Sequence, residues 1–79
     1  MALETSNFLP EESIPQNLTG CQTEIRNWRG TVTEPTTIEG EDREQQPAWR
    51  IDYGRGDIGT QPDEILRRRI LAIPEEIND

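Results

Sequence analysis

The chain contains no histidine, and all eight of its basic residues are arginines. It has one cysteine, Cys21, so no disulfide can form within the chain. Without histidine, the chain lacks the commonest general base and a preferred zinc ligand. Nothing in the sequence around Cys21 indicates an activated thiolate, and we expect a buried structural thiol. These absences predict a protein that is not an enzyme and that has no cofactor and no metal site.

Large apolar side chains are also scarce. Hydrophobic residues make up 30% of the 79 residues and aromatic residues 5%, whereas the typical apolar share is about 45–50%. A chain of this length buries a modest fraction of its surface, so the composition predicts one small domain with a marginal core. Adjacent carboxylates such as Glu41 and Asp42 are expected to be solvated, because such a core offers no apolar pocket for a general acid.

The sequence has no apolar run long enough to span a membrane, and its start lacks the basic and apolar regions of a signal peptide. The net charge is −8. A surface this acidic repels phosphate backbones and anionic lipids, so we expect no direct binding of nucleic acid and no membrane binding. The sequence predicts a location in the cytoplasm or within a virion.

Residues 1–20 are predicted to form an extended N-terminal arm. Pro10 and Pro15 remove backbone donors and disfavour helix in the residues before them. The apolar side chains of this segment follow neither a helical nor a strand period, which fits a segment that lies along a partner with each apolar side chain in its own pocket. The anchors that we expect are Phe8, Leu9 and Ile14.

Residues 21–73 are predicted to form a small β domain. Residues 21–33 are rich in side chains that favour strands, and Gly30 among them predicts a bulge that bends the strand. Residues 48–53 alternate between apolar and polar side chains, which is the pattern of a half-buried strand. Between the two strands, residues 34–47 are predicted to form a polar loop. In one interpretation, residues 36–38 instead extend the first strand past Pro35.

A glycine-rich segment follows the second strand. Residues 54–59 contain three glycines, which predicts a turn with positive φ. The segment includes the tripeptide Arg55-Gly56-Asp57, which is an adhesion motif in some extracellular proteins. Nothing in the sequence indicates an extracellular protein, so the turn is the interpretation that we adopt.

Residues 60–73 leave two interpretations open. One is a helix that begins near Pro62, with acidic residues near its positive end and arginines near its negative end. The other is a single helical turn over residues 62–65, followed by a strand over residues 66–72. Residues 74–79 are predicted to form an acidic C-terminal tail.

Three consecutive arginines form the one basic cluster of the chain. In one interpretation they are a solvated face that pairs with neighbouring acids. In the other they contact an acidic partner surface, because guanidinium groups bind carboxylates with two parallel hydrogen bonds. A further candidate for the bound surface is the acidic arm of a neighbouring copy, a head-to-tail contact of the kind that builds rings or filaments. The partner-binding residues predicted in this cluster are Arg67, Arg68 and Arg69.

Three short motifs within residues 21–76 resemble those of Tudor-like domains. The motifs are Trp28-Arg29-Gly30-Thr31-Val32, Ile51-Asp52-Tyr53-Gly54 and Leu66-Arg67. The resemblance implies a small, strongly bent, five-stranded barrel. Tudor readers hold a methylated lysine or arginine in a cage of about four aromatic rings. Here Trp28, Trp49 and Tyr53 are the rings of the domain, and we expect Trp49 and Tyr53 to belong to the core. We take the fold from the resemblance and not the ligand.

The sequence therefore predicts a mainly β protein with a small bent-strand barrel or β-hairpin core, an extended N-terminal arm and a short C-terminal helix. The predicted function is a non-enzymatic structural or accessory subunit that docks by its arms onto a larger assembly, such as a viral or phage particle. The expected partners are proteins of that assembly, including copies of the chain itself. The alternative is a regulatory protein-binding module, either a Tudor-like reader or an acidic inhibitor that mimics nucleic acid.

Overall fold

The computed structural model describes residues 7–74, which contain five antiparallel strands and two short helical turns. The elements are a 3₁₀ turn at Glu11–Ser13, β1 at Gln22–Ile25, β2 at Trp28–Glu39, β3 at Gln45–Gly54, β4 at Asp57–Pro62, α1 at Asp63–Leu66 and β5 at Ile70–Ala72. The mainly β fold class and the short helix near the C-terminus are confirmed. The first six residues of the predicted arm and residues 75–79 of the predicted tail lie outside the described residues.

The five strands form one sheet in the order β4-β3-β2-β1-β5. β2 is the longest strand and belongs to two ladders, because residues 28–31 pair with β1 and the strand pairs with β3 from Thr31 to Glu39. The register of the second ladder shifts between Val32 and Glu34. Such a bulge bends and twists a strand, which lets the sheet curve around one core.

The single strand predicted over residues 21–33 is wrong. The structure has a hairpin there, in which Arg26 and Asn27 form a two-residue turn between β1 and β2. Both turn residues have positive φ, 50° and 72°, as the tight hairpin turns that match strand twist require. Asparagine tolerates this conformation well, but arginine is no turn signal, so the chain reversal was hidden in a run of strand-forming residues.

The bulge predicted at Gly30 is also wrong, since Gly30 pairs regularly with Thr23. The glycine is required by close packing instead. A Cβ at this position would lie 2.7 Å from Cγ2 of Ile51 and 2.9 Å from the backbone oxygen of Asp52. The neighbouring strand therefore approaches β2 more closely than any residue with a side chain would allow.

Replacing Gly30 by alanine is expected to lower the free energy of unfolding by about 2 kcal/mol, because backbone atoms of β3 must move to admit the methyl group. Gly40→Ala is the matched control. Its Cβ would meet only side chains, chiefly the far end of the flexible Gln46 side chain, and we expect a much smaller change. Urea denaturation followed by circular dichroism measures both variants, and equal losses would contradict the close-packing argument.

The polar loop predicted over residues 34–47 is shorter than expected. β2 continues to Glu39 and β3 begins at Gln45, so the interpretation in which residues 36–38 extend the first strand is confirmed. The strand predicted over residues 48–53 lies within β3 and is confirmed. The turn after it is confirmed too, because Gly54, Arg55 and Gly56 all have positive φ.

For residues 60–73 the second interpretation is closer to the structure. α1 is one turn, and the backbone amides of Arg67, Arg68 and Arg69 close it by bonding to carbonyls three or four residues earlier. β5 then starts at Ile70, later than predicted, and pairs with β1. The continuous helix fails because the next apolar residue, Ile70, is needed at the edge of β1, and its side chain is fully buried there.

One apolar cluster fills the inside of the curved sheet. Its buried members come from the arm, from the residue before β1, from β2 and β3, from α1 and from β5, and are Leu18, Cys21, Val32, Trp49, Ile51, Leu66 and Ile70. The expected burial of Cys21 and Trp49 is confirmed. Thr23 is the buried polar residue of the core, and its hydroxyl donates to the backbone oxygen of Arg69 at 2.6 Å.

The described part of the arm, residues 7–20, lies against the β domain. Leu18 is fully buried, and Leu9 and Ile14 pack against the core from outside. The backbone amide of Leu9 donates to the carbonyl of Ile70 at 2.8 Å, and that of Gly20 donates to Val32 at 2.7 Å. Leu9, Ile14 and Leu18 of the arm thus stabilise the fold of their own chain.

Candidate functional site

Two hairpin turns lie side by side at one end of the sheet. Because β2 and β3 are antiparallel, the start of β2 is next to the end of β3. The β1–β2 turn at Arg26 and Asn27 therefore neighbours the β3–β4 turn at Arg55 and Gly56. All four turn residues have positive φ, which keeps both hairpins tight and their strands close together.

A concavity of about 340 Å³ lies between these two hairpins. We call it the hairpin pocket, and its lining residues are Ile25, Arg26, Trp28, Tyr53 and Asp57. Trp28 is 62% exposed, the largest exposed fraction among the large hydrophobic side chains of residues 7–74. An indole exposed at the wall of a concave site is available to a ligand, and aromatic side chains of this kind dominate many protein interfaces.

Glycines on both neighbouring strands make room for the ring of Tyr53. A Cβ at Gly30 of β2 would lie 2.9 Å from its Cδ1, and a Cβ at Gly59 of β4 would lie 2.8 Å from its Cε2. The ring therefore lies across the sheet and is held on both sides, while the tyrosine as a whole stays half-buried. The expected contact of Tyr53 with the core is confirmed, but the same residue also forms a wall of the hairpin pocket.

The rim of the hairpin pocket carries one charge of each sign. Asp57 begins β4 and Arg26 begins the first turn, and both are exposed. Within residues 7–74 neither takes part in an ion pair shorter than 4.0 Å, since the pairs join other residues. The phenol of Tyr53 is neutral near pH 7 and offers a hydrogen-bond donor. Partial burial raises its pKa and so disfavours the charged form further.

The lining side chains of this site carry groups that suit the binding of a ligand. Two aromatic rings and one carboxylate suit a cation that also carries apolar substituents, because ring faces attract cations and the carboxylate accepts their hydrogen bonds.

No group of three or more metal-ligating side chains occurs within residues 7–74. None of the helices that the structure describes has the length and apolar character needed to cross a membrane.

The predicted partner-binding residues lie elsewhere, where the arm runs antiparallel to the arginine cluster. Arg67 makes the most bonds: Nε donates to Asp63 Oδ2, and its two terminal nitrogens donate to the carbonyls of Pro15 and Gln16, each at 2.8 Å. Asp63 also accepts from the indole nitrogen of Trp49 at 2.7 Å through Oδ1. This chain of bonds, the Asp63 hub, ties β3, α1 and the arm together.

The other members of the predicted set also meet across this junction. Arg68 pairs with Glu11 at 3.1 Å, and the guanidinium of Arg69 lies 5.4 Å from the ring centre of Phe8. Leu9 and Ile14 lie between the arm and the core. The structure therefore brings the predicted apolar anchors and the arginines together within one chain, and their binding of a partner stays a prediction.

Sequence reasoning did not identify the hairpin pocket. The sequence signal that could have indicated it is the presence of Trp28 and Tyr53 in the two longer motifs that resemble Tudor-like domains. Asp57 and Arg26 carried none, because each is one charged residue among many. Comparison of the chain with family models, with curated proteins and with solved structures finds no match.

Proposed function

We propose that this chain is a non-enzymatic protein-binding module that holds a cationic side chain of its partner in the hairpin pocket. The supporting observation is the exposed Trp28 beside Tyr53 and Asp57 in a concave site. The ligand that fits this chemistry is the side chain of arginine, methylated arginine or methylated lysine. This corresponds to the reader alternative drawn from the Tudor-like resemblance.

Charge supports the same class of partner. The chain has a net charge of −8, which raises the local concentration of basic partners and speeds their encounter. At the rim of the hairpin pocket, Asp57 carries a negative charge and Arg26 carries a positive charge. A partner segment in which an acidic residue or a free carbonyl stands next to the cation would satisfy both rim charges.

The test is calorimetric titration of the intact chain with a set of peptides that differ at one central residue. That residue is dimethylarginine, trimethyllysine, arginine or leucine. We expect at least one cationic peptide to bind more tightly than the leucine peptide, because only a cation gains from both the ring faces and Asp57. Equal affinity for the leucine peptide would overturn the proposal.

Trp28→Ala is expected to weaken binding of the preferred peptide roughly tenfold, because it removes both the ring face and much of the apolar contact. Ile58→Ala is the matched control, since Ile58 is 55% exposed and does not line the hairpin pocket. Both side chains are exposed, so both variants should fold as the original chain does. A loss of affinity in the control as large as in Trp28→Ala would contradict this assignment of the site.

A second candidate function is that of a structural or accessory subunit in a larger assembly, such as a viral or phage particle. It is supported by Arg68, which is exposed beside Phe8, whereas Leu9, Ile14 and Leu18 of the arm pack onto their own domain. Under this function, Phe8→Ala combined with Arg68→Ala should prevent incorporation into the assembly while circular dichroism shows an unchanged fold. Normal incorporation of the double variant would exclude it.

A further inference from the structure

A second concavity lies where the arm meets α1 and the arginine cluster. Its volume is about 540 Å³, and we call it the arginine groove. Phe8 and Ile65 form its apolar part, and Arg68 and Arg69 form its charged part. Ile65 is 42% exposed because it lies on the outer side of α1, away from the core. The groove shares no lining residue with the hairpin pocket.

The two guanidinium groups of the groove differ in how they are held. Arg69 lies over the ring of Phe8, with 5.4 Å between the guanidinium carbon and the ring centre. The side chain of Arg68 is 69% exposed and pairs with a Glu11 side chain that is 63% exposed. An ion pair between two exposed side chains contributes little to stability, so an incoming carboxylate can replace Glu11 at little cost.

We propose that the arginine groove binds an acidic segment of a partner protein, with one large apolar side chain against Phe8 and Ile65 and carboxylates on Arg68 and Arg69. Charge complementarity selects this occupant. The groove places two guanidiniums beside apolar surface in a chain that is otherwise strongly acidic. A basic segment would meet like charges at this spot, and a purely apolar segment would leave both guanidiniums without new partners.

The groups around the groove set the direction of each mutational effect. Glu11 competes with the incoming carboxylate for Arg68, and the exposed Glu64 lies nearby, in an adjoining concavity lined also by Glu11, Asp63 and Arg67. Removing the competitor should therefore strengthen binding, whereas removing Arg68 should weaken it. Opposite changes in peptide affinity on substitution of Arg68 and of Glu11 are expected only if the ligand takes the place of Glu11 in this ion pair.

The test uses the intact chain and the acetylated peptide Asp-Glu-Leu-Asp-Glu, with Asn-Gln-Leu-Asn-Gln as the uncharged control peptide. We expect measurable binding of the acidic peptide only, and a loss of affinity as salt rises from low to high concentration. Arg68→Ala should weaken binding roughly fivefold, and Glu11→Gln should strengthen it by roughly two- to fivefold. This proposal does not rest on the function assigned to the hairpin pocket.

Arg50→Ala is the matched control for the charge effect. Arg50 is also an exposed arginine in a surface pair, with Glu34 at 3.6 Å, and it lies outside the groove. Arg50→Ala and Arg68→Ala each remove one positive charge from the chain. An equal loss of affinity in the two variants would show that the peptide is attracted by overall charge and not bound in the groove, and it would overturn the proposal. Equal binding of the uncharged peptide would also overturn it. So would Arg68-dependent self-association in sedimentation velocity, because the occupant would then be a second copy.

Discussion

Replacing Asp63 by alanine is expected to lower the free energy of unfolding by about 3 kcal/mol. The carboxylate accepts hydrogen bonds from Trp49 at 2.7 Å and from Arg67 at 2.8 Å. Without it, the indole N–H of Trp49, a residue only 7% exposed, has lost its acceptor. Arg67 also loses the charge that orients it toward the carbonyls of the arm. A donor left unsatisfied in a buried place costs more than the bond itself contributed.

Glu64→Ala is the matched control for this prediction. Glu64 is the next residue of α1 and is exposed, and within residues 7–74 no ion pair holds it. We expect a change below about 0.5 kcal/mol. Urea denaturation followed by circular dichroism gives both values, and similar losses for Asp63 and Glu64 would show that the Asp63 hub contributes little to stability.

The effect of Asp63 is also expected to depend on pH. Burial alone would raise the pKa of this carboxyl, but the hydrogen bonds from Arg67 and Trp49 and the charge of Arg67 outweigh it and hold the pKa below its usual value. A pKa that is lower in the folded than in the unfolded chain stabilises the fold above the unfolded value, about 3.9, and this stabilisation is lost as pH falls through the folded value. The difference between the original chain and Asp63→Ala should therefore shrink in acid. A constant difference between pH 7 and pH 2 would contradict this.

Replacing Leu18 by alanine is expected to cost about 3 kcal/mol of unfolding free energy. Leu18 is fully buried and belongs to the same cluster as Ile51 and Ile70. Truncation removes apolar contact and leaves a cavity, because the surrounding strands can relax only in part. A domain of this size has a total stability of only about 4–12 kcal/mol. The variant should therefore unfold at a clearly lower temperature and denaturant concentration.

This second prediction decides whether the arm belongs to the folding unit. If the arm only rested on the surface of the β domain, Leu18→Ala would cost less than about 0.5 kcal/mol, the range of most surface substitutions. Ile58→Ala provides the comparison, since it removes atoms of a large apolar side chain that is 55% exposed. Thermal unfolding followed by circular dichroism at one protein concentration compares the original chain with Leu18→Ala and Ile58→Ala.

The parts of the fold that could be predicted are those set by neighbouring residues. The alternation over residues 48–53 marks β3 because side-chain direction reverses at every residue of a strand. The glycines after it mark the turn, since glycine alone adopts positive φ without cost. The β1–β2 turn was missed because its first residue is Arg26, which carries no turn signal.

The parts that could not be predicted depend on residues far apart in sequence. Arg67 reaches the carbonyls of Pro15 and Gln16 across 52 and 51 positions, and no local pattern indicates such a contact. The arginines of the cluster are equally suited to a partner or to the arm of their own chain. Trp28 and Tyr53 form one site only because β2 and β3 pair in a register that side-chain patterns do not specify.

The contact between the arm and the last strand has a consequence for how the chain folds. The amide of Leu9 bonds to the carbonyl of Ile70, and Glu11 pairs with Arg68 across 57 positions. Contacts at such long sequence separation form late, because a large loop must close before they contribute. They therefore lower the folding rate. During synthesis on the ribosome the arm emerges before β5, so these contacts can form only after β5 has been made. Until then its apolar side chains remain accessible to chaperones and to other nascent chains.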